Sequence, residues 1–164
     1  MKRRTFVLGL LALTAVPLLY TRARIKDLQP TTTSRTDKLV LSESEWRKRL
    51  TPEQFYILRE EGTEPPDSSP LNHEKRSGTY VCAGCDLPLF TSAMKYDSGT
   101  GWPSFFTTLP DVFETKLDFM WLSLRTEYHC ARCGGHQGHV FNDGPPPTGQ
   151  RWCNNGLALR FIPD

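Results

Sequence analysis

The sequence predicts a mainly antiparallel β protein of two packed sheets, with short N-terminal helices and a structural four-cysteine metal site. Three observations predict it. Short β-like runs rich in apolar and aromatic residues recur between turn residues from Thr79 onward. Two helix-start signals stand before them. Two Cys-x-x-Cys pairs, Cys82–Cys85 and Cys130–Cys133, each follow such a run.

The elements follow in chain order. Ser42-Glu43-Ser44-Glu45 is a capping box, with Ser42 as the cap and Glu45 reaching back. Thr51-Pro52-Glu53-Gln54 opens a second helix, where Pro52 at the first position loses no needed N–H. Phe55, Tyr56 and Leu58 supply its apolar face, and Gly62 is expected to end it. After an irregular Pro/Ser stretch, strands are expected at Thr79–Cys82, Leu87–Phe90, Val112–Thr115, Phe119–Thr126, His139–Phe141 and Leu157–Ile162. Asp143-Gly144-Pro145-Pro146-Pro147 reads as a rigid loop.

A length of 164 residues suits one domain, and 11% aromatic residues are enough to build a core. The net charge of +2 is uneven. Residues 1–26 carry six basic and no acidic residues, which leaves 14 basic against 18 acidic residues, a net −4, in the rest. An acidic domain argues against nucleic acid as a partner. Arg3–Arg4 before the apolar run Phe6–Tyr20 resembles a twin-arginine export signal. That run of 15 residues falls short of the ~20 that span a bilayer, and Pro17 interrupts it. Residues 1–24 are thus read as an export signal or anchor, 25–38 as a linker and 39–164 as the folded domain. The expected location is the bacterial periplasm or the outer face of the cytoplasmic membrane, with N-terminal anchoring as the rival to cleavage.

The cysteines divide as four plus one. Tight turns let Cys82, Cys85, Cys130 and Cys133 point four thiolates at one ion, the pattern of a closed structural zinc site. Two disulfides, two redox dithiols or an iron–sulfur cluster are the rivals. A redox pair usually opens a helix, and neither pair here does. Cys153 stands alone in Arg151-Trp152-Cys153-Asn154-Asn155. A lone cysteine is usually a small buried hydrophobe. Arg151, which can stabilise a thiolate, and Asn155, expected on the same strand face, suggest nucleophilic sulfur chemistry instead. His136 and His139 complete a Cys–His–Asn set, with metal ligation as their rival role.

Several motifs then occur in order. They are Gly62-Thr63-Glu64-Pro65-Pro66, the first cysteine pair, Ser98-Gly99-Thr100-Gly101-Trp102-Pro103-Ser104-Phe105, Arg125-Thr126-Glu127, the second pair, His136-x-Gly138-His139-Val140-Phe141, Asp143-Gly144-Pro145 and Arg151-Trp152-Cys153-x-Asn155. From Ser42 to Pro163 the chain resembles the B-type peptide methionine sulfoxide reductases. The resemblance implies an oxidoreductase acting on the R epimer of oxidised methionine, with one structural zinc. It makes Cys153 the nucleophile that becomes a sulfenic acid. His139, Asn155 and His136 match the network around the sulfoxide oxygen. Asp143 and Arg151 match residues that tune the cysteine. Trp102 and Phe141 match the wall that receives the substrate methyl.

The departures carry information too. Thr100 stands where many members have a resolving cysteine, and no sixth cysteine exists. The expected reductant is therefore an outside thiol, thioredoxin-like or small. Gln137 stands where leucine is common and is expected to alter the pocket wall. Gly156 replaces a common serine and is expected to loosen the strand after the nucleophile, and Asp67 stands where an aromatic is common. The alternative reading is a zinc-ribbon-like binding module without catalysis.

Overall fold

A computed structural model describes residues 37–120 and 123–164. The proposed signal at 1–24 and the linker up to residue 36 lie outside the described residues. Among the described residues no helix is long and apolar enough to cross a membrane.

Both helices start where their caps dictate. Helix α1 is Glu43–Arg49 and α2 is Pro52–Glu60, and each has a complete capping box, on Ser42 and Thr51 respectively. At the end of α2 it is Glu61, not Gly62, that takes the left-handed conformation (φ 56). The helix closes through the Gly62 N–H donating to the Tyr56 carbonyl. Trp46, Phe55, Ile57 and Leu58 bury the inner faces.

Nine strands follow among the described residues: β1 Gly78–Cys82, β2 Pro88–Thr91, β3 Lys95–Tyr96, β4 Ser104–Phe105, β5 Phe113–Met120, β6 Ser123–Cys130, β7 His136–Phe141, β8 Arg151–Asn154 and β9 Leu159–Pro163. All paired strands are antiparallel. One sheet has the order β2-β1-β9 and the other β3-β4-β8-β7-β6-β5. This is the predicted fold class. The sheets meet through aromatic rings: Phe90 stacks on Phe105 at 3.9 Å, and Tyr80 meets Phe105 edge-on at 5.0 Å.

Two expected strands change. The run 119–126 does not form one strand, because β5 ends at Met120 and β6 begins at Ser123, paired with each other. Its apolar residues are those of a hairpin end, where Phe119 and Leu124 pair across the strands and stay exposed. The run 157–162 starts as a short 3-10 turn, Gly156–Ala158, before β9. Strands β3 and β4 are two residues each, too short to carry a periodic signal. The proline loop between β7 and β8 is a loop as expected, closed by Gly149 N–H donating to the Pro145 carbonyl at 3.0 Å.

Phe105 joins both sheets at zero exposure. Phe105→Ala is expected to lower stability by about 3–5 kcal/mol, measured by denaturant unfolding.

Candidate active site

Sheet register assembles the site. Tyr96, Ser104, Cys153, His139, Glu127 and Lys116 face one another in successive pairs across six strands, so they lie on one face of the sheet. Gly138 lets β7 approach β8 at the centre of this row. A Cβ there would stand 1.9 Å from the Cys153 carbonyl oxygen. On the opposite face Trp152 packs against Phe113 and Tyr128.

A cleft of about 320 Å³ opens at the centre of this row, where Cys153 and His139 line it. Of the predicted residues it gathers Cys153, His139, Asn155, Arg151, Trp102 and Phe141. Cys153 is half-buried, and burial raises its thiol pKa while the Arg151 charge opposes the rise. A hydrogen bond with Thr100 also favours the thiolate. Asp143 lies outside the cleft and acts through Arg151, gripping its guanidinium with two bonds of 2.8 and 2.9 Å. The guanidinium lies 4.3 Å over the Phe141 ring.

His139 bonds through Nε2 to Asp118 at 2.9 Å, and Arg125 bonds the same carboxylate oxygen at 2.7 Å. Those donors hold the Asp118 carboxyl below its ordinary value. Burial lowers the His139 pKa, which favours the neutral ring. With Nε2–H donated to a carboxylate, Nδ1 is then the basic nitrogen. His136 is not in the cleft. It is buried behind His139, its Nδ1 bonded to Glu127 at 2.8 Å, and its Nε2 has no partner among the described residues.

Asn155 reaches the cleft differently from expectation. Strand β8 ends at Asn154, so Asn155 lies in the turn beyond the strand face it was expected to share with Cys153. Its Oδ1 accepts from the Glu64 N–H, and its Nδ2 donates to the Gln137 carbonyl. Buried Glu64 also accepts from the Gly156 and Leu157 N–H groups, at 2.5 and 2.9 Å. Gly156 therefore sits in a held turn, outside the strand it was expected to loosen. Gln137 does not line the cleft wall either, and is completely buried.

Trp102 is fixed by its loop. Its Nε1–H donates to the Glu64 carbonyl at 3.1 Å. Gly101 before it has φ +92, and a Cβ there would meet Pro66 at 2.7 Å. Asp67, at a position where an aromatic is common in the family, donates its backbone N–H to the Gly101 carbonyl.

Sequence reasoning passed over Asp118, which sits in no motif. It left Arg125, Glu127 and Glu64 without roles, although the first two alternate on one strand face with a period of two. Thr63 also joins the cleft unannounced.

Cys82, Cys85, Cys130 and Cys133 converge with all four sulfurs within 4.8 Å of one another. None is bonded to another. Two of the sulfur–sulfur separations are 3.7 and 3.5 Å. A tetrahedral ion with metal–sulfur bonds of about 2.3 Å needs edges of about 3.8 Å, so the donor set fits one ion. Hydrogen bonding among the four sulfurs lowers the Cys130 pKa and raises that of Cys133. Arginines fix the two turns: Arg49 donates to the Gly84 carbonyl, Arg59 to that of Cys133 and Arg132 to that of Cys85.

Comparison with known proteins decides the family. Residues 50–163 match the SelR domain. The chain belongs to the B-type methionine sulfoxide reductases. It is 50% identical over 127 residues to the peptide methionine sulfoxide reductase MsrB of Agrobacterium fabrum, covering 77% of this chain and 94% of that one. Over 136 residues it is 52% identical to the human mitochondrial methionine-R-sulfoxide reductase B2, covering 78% and 75%. The Pseudomonas putida MsrB is 53% identical over 121 residues, covering 73% and 90%. The chain is accordingly an oxidoreductase, in line with the resemblance read from its motifs.

The electrostatics of Cys153 predict its reactivity. Its alkylation by iodoacetamide, followed by peptide mass spectrometry, should rise with pH through a midpoint above the ordinary thiol value. Arg151→Ala removes the charge that opposes the rise, so the midpoint should move higher and alkylation at pH 8 should slow severalfold. An unchanged profile would show that Arg151 does not act on the thiol.

Proposed function

We propose that the protein reduces methionine R-sulfoxide to methionine through a sulfenic acid at Cys153, with zinc in the four-cysteine site. The observation that carries this reading is Cys153 in the cleft between the cationic Arg151 and the neutral His139, facing an indole wall, in a chain of this family. Bound zinc supplies a cross-link and no chemistry, because four thiolates leave no open position.

Cys153 gives up its proton and its sulfur attacks the sulfoxide sulfur. Arg151 and the Thr100 hydroxyl stabilise the charge on the nucleophile. The S–O bond of the substrate breaks, and its oxygen and the thiol proton end on Cys153 as Cys–SOH. Methionine sulfur is reduced by two electrons and Cys153 sulfur is oxidised by two. Protons reach the departing oxygen through His139, kept oriented by Asp118, with His136 and Asn155 in the same network. Trp102 and Phe141 receive the methyl group, which separates the R epimer from the S epimer. Two equivalents of an outside thiol then return Cys–SOH to thiol, forming a disulfide and water. A thioredoxin-like protein or a small thiol fills that role, since a zinc cysteine could not serve without dismantling its site. Substrates are oxidised methionines in proteins or peptides, and the activity is repair after oxidation. The twin-arginine-like N-terminus supports action outside the cytoplasm, in the periplasm or at the outer face of the cytoplasmic membrane. Export after folding would allow the metal to be loaded in a reducing compartment.

The test uses both sulfoxide epimers and several thiol donors. Activity is expected on the R epimer alone, and Cys153→Ser should lose it by at least about 10³-fold while retaining one zinc per chain. A folded, zinc-loaded variant that still turns over refutes the nucleophile and returns the binding-module reading. Asp118→Asn should lower kcat by about tenfold or more, in steady-state assay. Mass spectrometry after turnover without reductant should find Cys153 as sulfenic acid and in no intramolecular disulfide.

A further inference from the structure

Gln137 has no part in the reaction above, yet its side chain is completely buried. It lies between the cysteine cluster and the strand that bears Cys153. Its Nε2 donates to Cys82 Sγ at 3.5 Å, and its Oε1 accepts from Asn154 Nδ2 at 3.3 Å. Asn154 is the residue after Cys153 and is also completely buried. It donates from the same Nδ2 to the Asn155 carbonyl at 2.8 Å and accepts at Oδ1 from the Tyr128 hydroxyl at 2.8 Å.

The direction of this chain is set by one group that cannot reverse. The Asn155 carbonyl only accepts, so the Asn154 atom facing it is the nitrogen. Asn154 must then present that nitrogen to the Gln137 oxygen, which turns the Gln137 nitrogen toward Cys82. Cys82 has to accept, as a metal-bound thiolate does. The same glutamine holds the nucleophile's turn by its backbone, since its carbonyl accepts from both the Asn155 N–H and the Asn155 amide.

We infer that Gln137 is a positioning residue that joins the metal site to the nucleophile: its amide bridges metal-bound Cys82 to Asn154, so retention of the metal and the reactivity of Cys153 are coupled. A metal-bound sulfur keeps the Nε2–H engaged, which holds Oε1 on Asn154 and keeps the end of β8 in its ladder. When the bridge is cut, the sulfur loses a donor and Asn154 loses an acceptor together. This rests on the reading of Cys153 as the nucleophile, but it is tested without any sulfoxide.

The test is Gln137→Met, which conserves volume and removes both bonds. Two rates are measured on the zinc-loaded full chain, well below its melting temperature. One is zinc release to a chromogenic chelator, and the other is alkylation of Cys153 followed by peptide mass spectrometry. Q137M is expected to release zinc about tenfold faster and to alkylate at Cys153 roughly threefold faster. Leu89→Ala, a core change off the bridge, should lower the melting temperature and leave both rates at the wild-type level. The proposal is overturned if Q137M releases zinc at the wild-type rate, if its change stops at the metal and Cys153 reacts as before, or if L89A moves both rates as far. If Q137M does not fold, Asn154→Ser cuts the far end of the bridge without touching a cysteine. Faster zinc release then supports the coupling, and a wild-type rate overturns it. Because neither rate requires turnover, loss of the reductase reading would appear in the epimer assay and not here.

Discussion

The register between β7 and β8 is the constraint on which the site depends. Because side chains alternate along a strand, a slip of one residue would turn Cys153 into the core and Trp152 into the cleft. Two features hold the register. Trp152 packs among Phe113 and Tyr128 on the core face. Gly138 permits an approach to the Cys153 carbonyl that any side chain would block. With that pairing set, His139 lies beside Cys153, and Glu127 and Lys116 follow in line.

The cysteine cluster adds a second constraint at larger scale. Cys82 ends β1 in the three-stranded sheet, and Cys130 ends β6 in the six-stranded sheet. An ion held by both turns therefore joins the two sheets at one point. A domain of this size gains from such a staple, since its core has limited area to bury. The helices serve the same place, because Arg49 from α1 and Arg59 from α2 bind carbonyls in the two turns. The link through Gln137 extends this framework to the strand that carries the chemistry.

Much of this was legible in the residues themselves. Capping boxes are local, so Ser42 and Thr51 announced their helices correctly. Cys-x-x-Cys turns are local too, and both pairs form as expected. The run 119–126 misled because an exposed hairpin end carries the same apolar residues as a buried strand. Gln137 misled for another reason. Its replacement of a common leucine suggests the pocket wall, but the register irregularity where β7 pairs with β6 takes Gln137 out of simple alternation with His139 and turns it toward the cysteines. Asp118 was illegible, since its partner His139 is 21 residues away and only strand pairing brings them together.

The class of fold, the two helix starts, the grouping of four cysteines against one, and the family were all readable from the residues alone. Each of these rests on short-range chemistry or on ordered motifs. Folding was needed to show that His136 stands behind the cleft and Asp143 outside it, that Asn155 enters it from a turn, and that Asp118 orients His139. It also decided that a buried glutamine links the cysteine cluster to the nucleophile's strand. The reason is physical: hydrogen bonds between distant strands depend on register and burial, and neither is a property of a residue's neighbours in sequence.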